Sequence, residues 1–484
     1  MLITFVVLYL IASVAIGLFA ATRVRNTADY AVAGRSLALP VVIATTFATW
    51  FGSETVLGVS ARFVTDGLGG VVEDPFGASL CLVFVGLFFA YKLYQRNLIT
   101  LGDYYRQRYG RGVELLCSIM IIISYLGWVA AQITALGLVF NLLTDGAVSV
   151  PMGMVIGTSI VLLYTIFGGM WSVALTDFVQ MIVIAIGLVA IAWFAADLAG
   201  GAGKVIDYAR SEGKFQFFPT GGAKEWIFFF AAAITMMLGS IPQQDVFQRV
   251  MSSRDAKTAV RGPVIGGTLY FLFALIPMFV VTAAVLVMGE EATKLLADDP
   301  QKVLPTLVLK HMPVALQVAF YGALLSAIMS TASATLLAPS TTFVENILRN
   351  MRPHMTDGQT LKAMRITVVV VTGVVLMYAI AMEGTSIYEL VSGAYQVPLV
   401  GAFVPLVFGL YWSRATTQGA IASVVLGLGT WLVFVATPAL SEAFPQQLAG
   451  VLAALAGMVA GSLLPQRVAD HRGRVHHFEG SAAA

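Results

Sequence analysis

Apolar stretches of about twenty residues, the length at which a helix crosses a bilayer core, recur along almost all of this 484-residue chain. No other feature constrains the fold as tightly. Backbone in hydrocarbon must satisfy its polar groups internally, which leaves helical bundles or closed barrels. Barrel strands would read as short segments of alternating polarity, and the sequence has no such pattern. Charged residues make up 11% of the chain and hydrophobic ones 58%, whereas a soluble protein is roughly a quarter charged. The expectation is an all-α polytopic membrane protein with the lipid bilayer as its surroundings. A formal net charge of +2 gives no basis for binding nucleic acid. Cys81 and Cys117 fall in apolar segments, so neither a disulfide framework nor a metal-ligand spacing is expected. The opening MLITFVVLYLIASVAIGLFAATR lacks a basic leader and outruns a signal core, so it reads as a retained first span.

Thirteen candidate spans follow, at about 2–22, 39–65, 71–95, 113–143, 149–168, 171–199, 224–251, 258–289, 311–348, 361–382, 385–412, 416–437 and 447–465. With the N-terminus outside, twenty of the 28 Lys and Arg residues fall on the inner side, from Arg23, Arg25 and Arg35 through Arg249 to Arg467, Arg472 and Arg474. That bias predicts a cytoplasmic C-terminus in a multi-pass protein of the cell's inner or plasma membrane. The outer loops near 200–223 and 290–310 have room for short interfacial helices, and the tail 466–484 is expected to be disordered.

Polar residues interrupt this apolar pattern at a few places. Ser330 and Thr331 are adjacent hydroxyls deep in the stretch 314–344, and paired oxygens at membrane depth suit a small hard cation. Two spans are broken by small and polar residues: the second around Thr49 to Glu54, the seventh at Gly239-Ser240-Ile241-Pro242-Gln243-Gln244-Asp245. They lie five spans apart and so cross in opposite directions. Matching broken helices in two inverted halves are the best sequence pointer to a transport site. The domain reading is a first span and linker (1–38), a first repeat (39–199), an outer loop (200–223), a second repeat (224–412), two further spans (413–465) and the tail (466–484).

Five segments in order, YAVAGRSL at 30–37, FATWFGSETVLG at 47–58, YTIFGGMWSVALTDFVQ at 164–180, IPQQDVFQRVMSS at 241–253 and SAIMSTASATLL at 326–337, resemble the sodium:solute symporter family. Locally they are most similar to its choline- and proline-carrying branches. The resemblance implies a five-plus-five inverted-repeat (LeuT-like) core and Na⁺ as coupling ion. It also implies an ion site made of the carbonyls of Ala48, Phe51 and Ala327 and the hydroxyls of Ser330 and Thr331. Asp177 would act in ion coupling. In the choline branch, tryptophans at the positions of Trp50 and Trp128 belong to an aromatic cage, while the third cage tryptophan falls on Gln243 here and a glycine position becomes Glu54. A hydrogen-bonding amine or other polar solute is therefore expected at Trp50, Glu54, Trp128, Gln243, Gln244 and Ser392, with Gln396 as a weaker neighbour.

Each residue also has a plainer reading. Ser330 and Thr331 could bond back to the preceding turn. Asp177 could fix the end of its span, the tryptophans could face lipid, and Glu54 could form a gate ion pair with Arg62. Arg249 reads as a gate or anchor near the cytoplasmic end of the seventh span. The expected function is Na⁺-driven symport of a small polar organic solute such as an amino acid or amine by alternating access. The alternatives are a solute sensor, an uncoupled uniporter or channel, and H⁺ in place of Na⁺ through Glu54 or Asp177. No nucleophile motif or His/Cys/Asp cluster points to an enzyme, and a homo-oligomer stays open.

Overall fold

The computed structural model describes residues 2–471. Arg472, Arg474 and most of the tail expected to be disordered lie outside that range. Among the described residues the regular elements are helices, and the lone exception is an isolated parallel bridge between Leu37 and Ser253. Ten helices among the described residues are long and apolar enough to cross a membrane, or eleven if one bent pair counts as a span.

The difference from thirteen arises where helices break. Val150–Leu198 runs as 49 residues, roughly 73 Å at 1.5 Å per residue, more than twice the hydrocarbon thickness. It turns at Gly169, whose φ of 49° and ψ of −137° leave the helical region. This is the boundary expected between 149–168 and 171–199. A side chain there is also excluded by space, because a Cβ would come 2.4 Å from the Tyr30 carbonyl. The second expected span begins with a helix of only twelve residues, Leu39–Trp50, and continues through a wide turn at Glu54–Gly58 into Val59–Asp66. Ala223–Gly239 and Gln244–Ser252 meet at 43°, at Pro242, which cannot donate a backbone hydrogen bond.

The helix Val314–Phe343 is buried over most of its length and packs against Val150–Leu198, Arg111–Leu143 and Leu39–Trp50. Its hydroxyls are largely spent on its own turns: Thr335, Ser340, Thr341 and Thr342 each donate to the carbonyl four residues earlier, as membrane-helix hydroxyls commonly do. Apolar side chains such as Ile11, Phe19, Ile186 and Trp193 face outward, as a lipid-facing surface requires. The loops hold short helices at Ala202–Ser211, Glu290–Asp298 and Val303–His311. Between the last two, the Lys310 ammonium donates to Glu291 and holds its carboxyl below the usual carboxylate range.

Candidate functional site

Phe51 leaves helical geometry (φ −86°, ψ 70°), so the next backbone groups need outside partners. Gln132, on the helix Arg111–Leu143, supplies one: its Oε1 accepts the Ser53 N–H at 3.0 Å. Gly52 has no room for a side chain. A Cβ would lie 2.5 Å from Glu54 Oε2, 2.6 Å from Thr331 Oγ1 and 2.9 Å from Gln132 Oε1. Oxygens from three elements thus converge on one backbone position. Gly52→Ala is expected to cost about 1–3 kcal/mol by overpacking and to reduce solute uptake, while Gly203→Ala, which meets nothing within 4 Å, leaves both unchanged. Thermal unfolding and initial uptake rates check this.

Glu54 is buried and receives Trp128 Nε1 at 2.9 Å on one oxygen and Gln132 Nε2 at 2.6 Å on the other. The gate pair with Arg62 does not form. Arg62 lies eight residues on, roughly 12 Å along a helix, and pairs with Asp66 at 2.8 Å on the surface. Trp50 and Trp128 do not face lipid. Their rings are 5.6 Å apart, and Tyr395 lies 6.0 Å from the first and 5.4 Å from the second. Tyr125 stacks on Trp128 at 6.0 Å. Asp245 closes the far side, accepting Trp50 Nε1 at 3.2 Å and Tyr125 Oη at 2.6 Å. Tyr125, Gln132, Asp245 and Tyr395 complete an aromatic box with an acid at each end.

The expected solute contacts divide. Gln243 reaches the box side: its Nε2 donates to Ser124 at 2.9 Å, and its buried Oε1 has no partner among the described residues. Gln244 turns away, accepting the Leu101 N–H at 2.8 Å and donating to the Ile99 carbonyl. Ser392 donates to Glu73 at 2.6 Å. Gln396 accepts from Trp431 and Gln446 and so faces the C-terminal helices.

Thr331 does bond back, donating to the Ala327 carbonyl one turn earlier at 3.1 Å. Its Oγ1 also lies 3.5 Å from the Ala48 carbonyl, the contact that brings the broken helix and the buried one together. Ser330 does not bond back. It donates to Asp177 Oδ1 at 2.6 Å, while Thr45 and Thr49 donate to Oδ2. Asp177 therefore ties three helices together at the edge of the carbonyl and hydroxyl group. Among the described residues no three or more His, Cys, Asp or Glu side chains gather as a metal site. Neutral carbonyl and hydroxyl oxygens are instead the donor set of a monovalent cation.

Arg249 departs most from expectation. It is buried, 1% exposed, with Nη2 donating to Thr49 Oγ1 at 2.7 Å and Nη1 to the Asp245 carbonyl at 2.9 Å. It is therefore not the inner-surface charge that the count of basic residues made it. It bridges the Asp177 group to the Asp245 end of the aromatic box.

The chain resembles known proteins along most of its length. It is 30% identical over 452 residues to the human high affinity choline transporter 1, covering 88% of this chain and 75% of that protein. It is 28% identical over 464 residues to the high-affinity proline transporter PutP of Bacillus subtilis, covering 93% and 95%. The fold superposes on a Na⁺-coupled sialic acid symporter with a TM-score of 0.82 at 18% identity, covering 96% of this chain and 98% of the other. These relatives are transporters, and Na⁺ is the coupling ion of the group. The family model matches residues 30–427: the chain is a multi-pass membrane transporter that belongs to the sodium:solute symporter family.

Proposed function

We propose that this symporter imports a small organic solute whose recognised end is a cationic amine. The observation that carries the reading is the pairing of the Glu54 carboxylate with the Trp50, Tyr125, Trp128 and Tyr395 rings at the break of a helix. Aromatic faces attract a cation by their quadrupole, and a carboxylate beside them adds a hydrogen-bond acceptor for an N–H. The unpartnered Gln243 Oε1 would be a second acceptor. The solutes named for the human and Bacillus relatives, choline and proline, share a positively charged nitrogen. Gln244 and Ser392, spent elsewhere, are not assigned to the solute.

In this reading Na⁺ takes the carbonyls of Ala48, Phe51 and Ala327 and the hydroxyls of Ser330 and Thr331. Binding there would order the break after Trp50 and so complete the wall of the aromatic box. Asp177 would hold Ser330 in place through their hydrogen bond. The two repeats, 39–199 and 224–412, would rock about this site. One positive charge moving inward gains roughly 2.3 kcal/mol per 100 mV of membrane potential, in addition to the Na⁺ gradient. The outward N-terminus and cytoplasmic C-terminus rest on the inner-side excess of Lys and Arg, and that excess survives removal of the buried Arg249 from the count.

The test is uptake into proteoliposomes with imposed gradients. Labelled choline, proline and small primary amines are expected to accumulate with inward Na⁺ and not with an inward H⁺ gradient in K⁺. Glu54→Gln should raise KM for the accepted amine roughly tenfold or more, a loss of about 1.4 kcal/mol, with the Na⁺ requirement kept. Accumulation of a neutral or anionic solute in preference to every amine would reject the reading.

A further inference from the structure

Glu73 and Asp74 lie where the helix beginning near Val72 is interrupted, Asp74 having extended backbone (φ −137°, ψ 123°). The two adjacent acids bond to different helices, Glu73 to Ile387–Pro398 and Asp74 to Ala256–Met288. Glu73 accepts Ser392 Oγ at 2.6 Å. On the same helix, Ile387–Pro398, Tyr388 lines a cavity of about 520 Å³ and Tyr395 lines the aromatic box. Residues 388, 392 and 395 share one helical face. Glu73 therefore sits about 6 Å inward of Tyr388 and about 4.5 Å short of Tyr395 along that helix. Asp74 turns to the other helix. Its Oδ1 accepts Tyr270 Oη, which is 3.0 Å from Thr55 Oγ1, and Thr55 in turn donates to the Trp50 carbonyl at 3.3 Å. Thr55 falls between Gly58, which lines the cavity, and Glu54 of the box.

Ser392, bonded to Glu73, and Thr55, linked to Asp74 through Tyr270, thus fall along their own segments between residues of the cavity and residues of the box. Asp74 is 1% exposed, and its Oδ2 has no hydrogen-bond partner among the described residues. The basic side chains of the cavity wall are already engaged, Arg62 with Asp66 at 2.8 Å and Lys302 with Asp298 at 3.1 Å. Arg62 also acts on Glu73 through its charge, whereas the charges that act on Asp74 are the acids Glu54 and Glu73. A carboxylate in a membrane span without a counter-charge is costly and marks a cation path. We infer that Glu73 and Asp74 form a second, outer subsite for an organic ammonium group, occupied before the solute reaches the aromatic box. The assignment rests on the cationic-amine reading above. It also gives the bond between Glu73 and Ser392 a role: an arriving ammonium competes for that carboxylate and frees the helix carrying Tyr395.

The test is equilibrium binding of labelled tetramethylammonium to the purified full-length protein in nanodiscs with Na⁺ present. The wild type is expected to bind two per chain. Asp74→Asn and, separately, Glu73→Gln should each reduce this to one, and Glu54→Gln should remove the other while leaving the outer site. A parallel ²²Na⁺ measurement should be unchanged by Asp74→Asn; a drop there assigns the acids to Na⁺ and overturns the ammonium assignment. One site per chain in the wild type, abolished by Glu54→Gln and untouched by both outer variants, overturns the outer subsite and leaves the cationic-amine reading standing. No tetramethylammonium bound to the wild type overturns both. If Asp74→Asn fails to fold, Glu73→Gln alone decides, because its partner Ser392 is half-buried and tolerates loss of the charge.

Discussion

Arg249→Met is expected to lower stability by about 3–5 kcal/mol, the usual result of removing one partner from a buried charge group. The guanidinium is the cation standing between the Asp177 group and Asp245, and its two bonds end on Thr49 and the Asp245 carbonyl. Without it, Asp177 and Asp245 remain buried with only neutral donors: Ser330, Thr45 and Thr49 on one, Trp50 and Tyr125 on the other. Arg249→Lys should recover little, since a point ammonium cannot span both partners as the planar fork does. The informative comparison is the charge-balanced double variant. If the arginine mainly offsets Asp177, then Arg249→Met with Asp177→Asn should melt several degrees above Arg249→Met alone, while pairing with Asp245→Asn should not. Thermal unfolding of the four proteins in detergent, with and without Na⁺, measures this. Equal melting of Arg249→Met and the wild type would show that the arginine carries no share of the charge balance.

The bundle was legible because bilayer thickness fixes span length, and hydropathy reads that length directly. The breaks at residues 49–54 and 239–245 were legible for a related reason: small residues, proline and polar side chains are poor helix and poor lipid material together. Partner identity was a different matter. Gln243 and Gln244 are neighbours in sequence, but Gln243 has extended backbone (φ −90°, ψ 138°) while Gln244 opens the helix Gln244–Ser252, so their side chains point apart. One therefore meets Ser124 and the other the backbone at Ile99 and Leu101. Choosing between them requires knowing which helix lies on which side, and a single sequence does not carry that. Arg249 misled for the same reason. Hydropathy treats an arginine near a span end as interfacial, and only the two acids brought from elsewhere make burial tolerable. Tyr125, Trp128 and Gln132 could have been found, because their spacing of three and four places them on one face of Arg111–Leu143. The acid at Glu54 was visible, but its partners on that face were not assembled into a site.

Removing both hydroxyls, Ser330→Ala with Thr331→Ala, is expected to raise the Na⁺ concentration for half-maximal uptake by roughly a hundredfold. That corresponds to about 1.4 kcal/mol for each lost oxygen ligand. The single variants should differ in a way the hydrogen bonds dictate. Ser330 donates to the buried Asp177 carboxylate, and a bond to a charged group contributes about 1.5–3 kcal/mol, so Ser330→Ala should lower thermal stability as well as Na⁺ affinity. Thr331 bonds only to carbonyls of Ala48 and Ala327. Thr331→Ala should therefore weaken Na⁺ activation with little change in melting, and Thr331→Ser should restore it. The solute KM measured at saturating Na⁺ should stay near wild type in Thr331→Ala, because the aromatic box is intact. Initial uptake rates over a Na⁺ titration, together with ²²Na⁺ binding to the purified protein, separate the two effects. Wild-type Na⁺ activation in the double variant would mean that the ion sits elsewhere, and the convergence of the broken helix on Thr331 would then be packing alone.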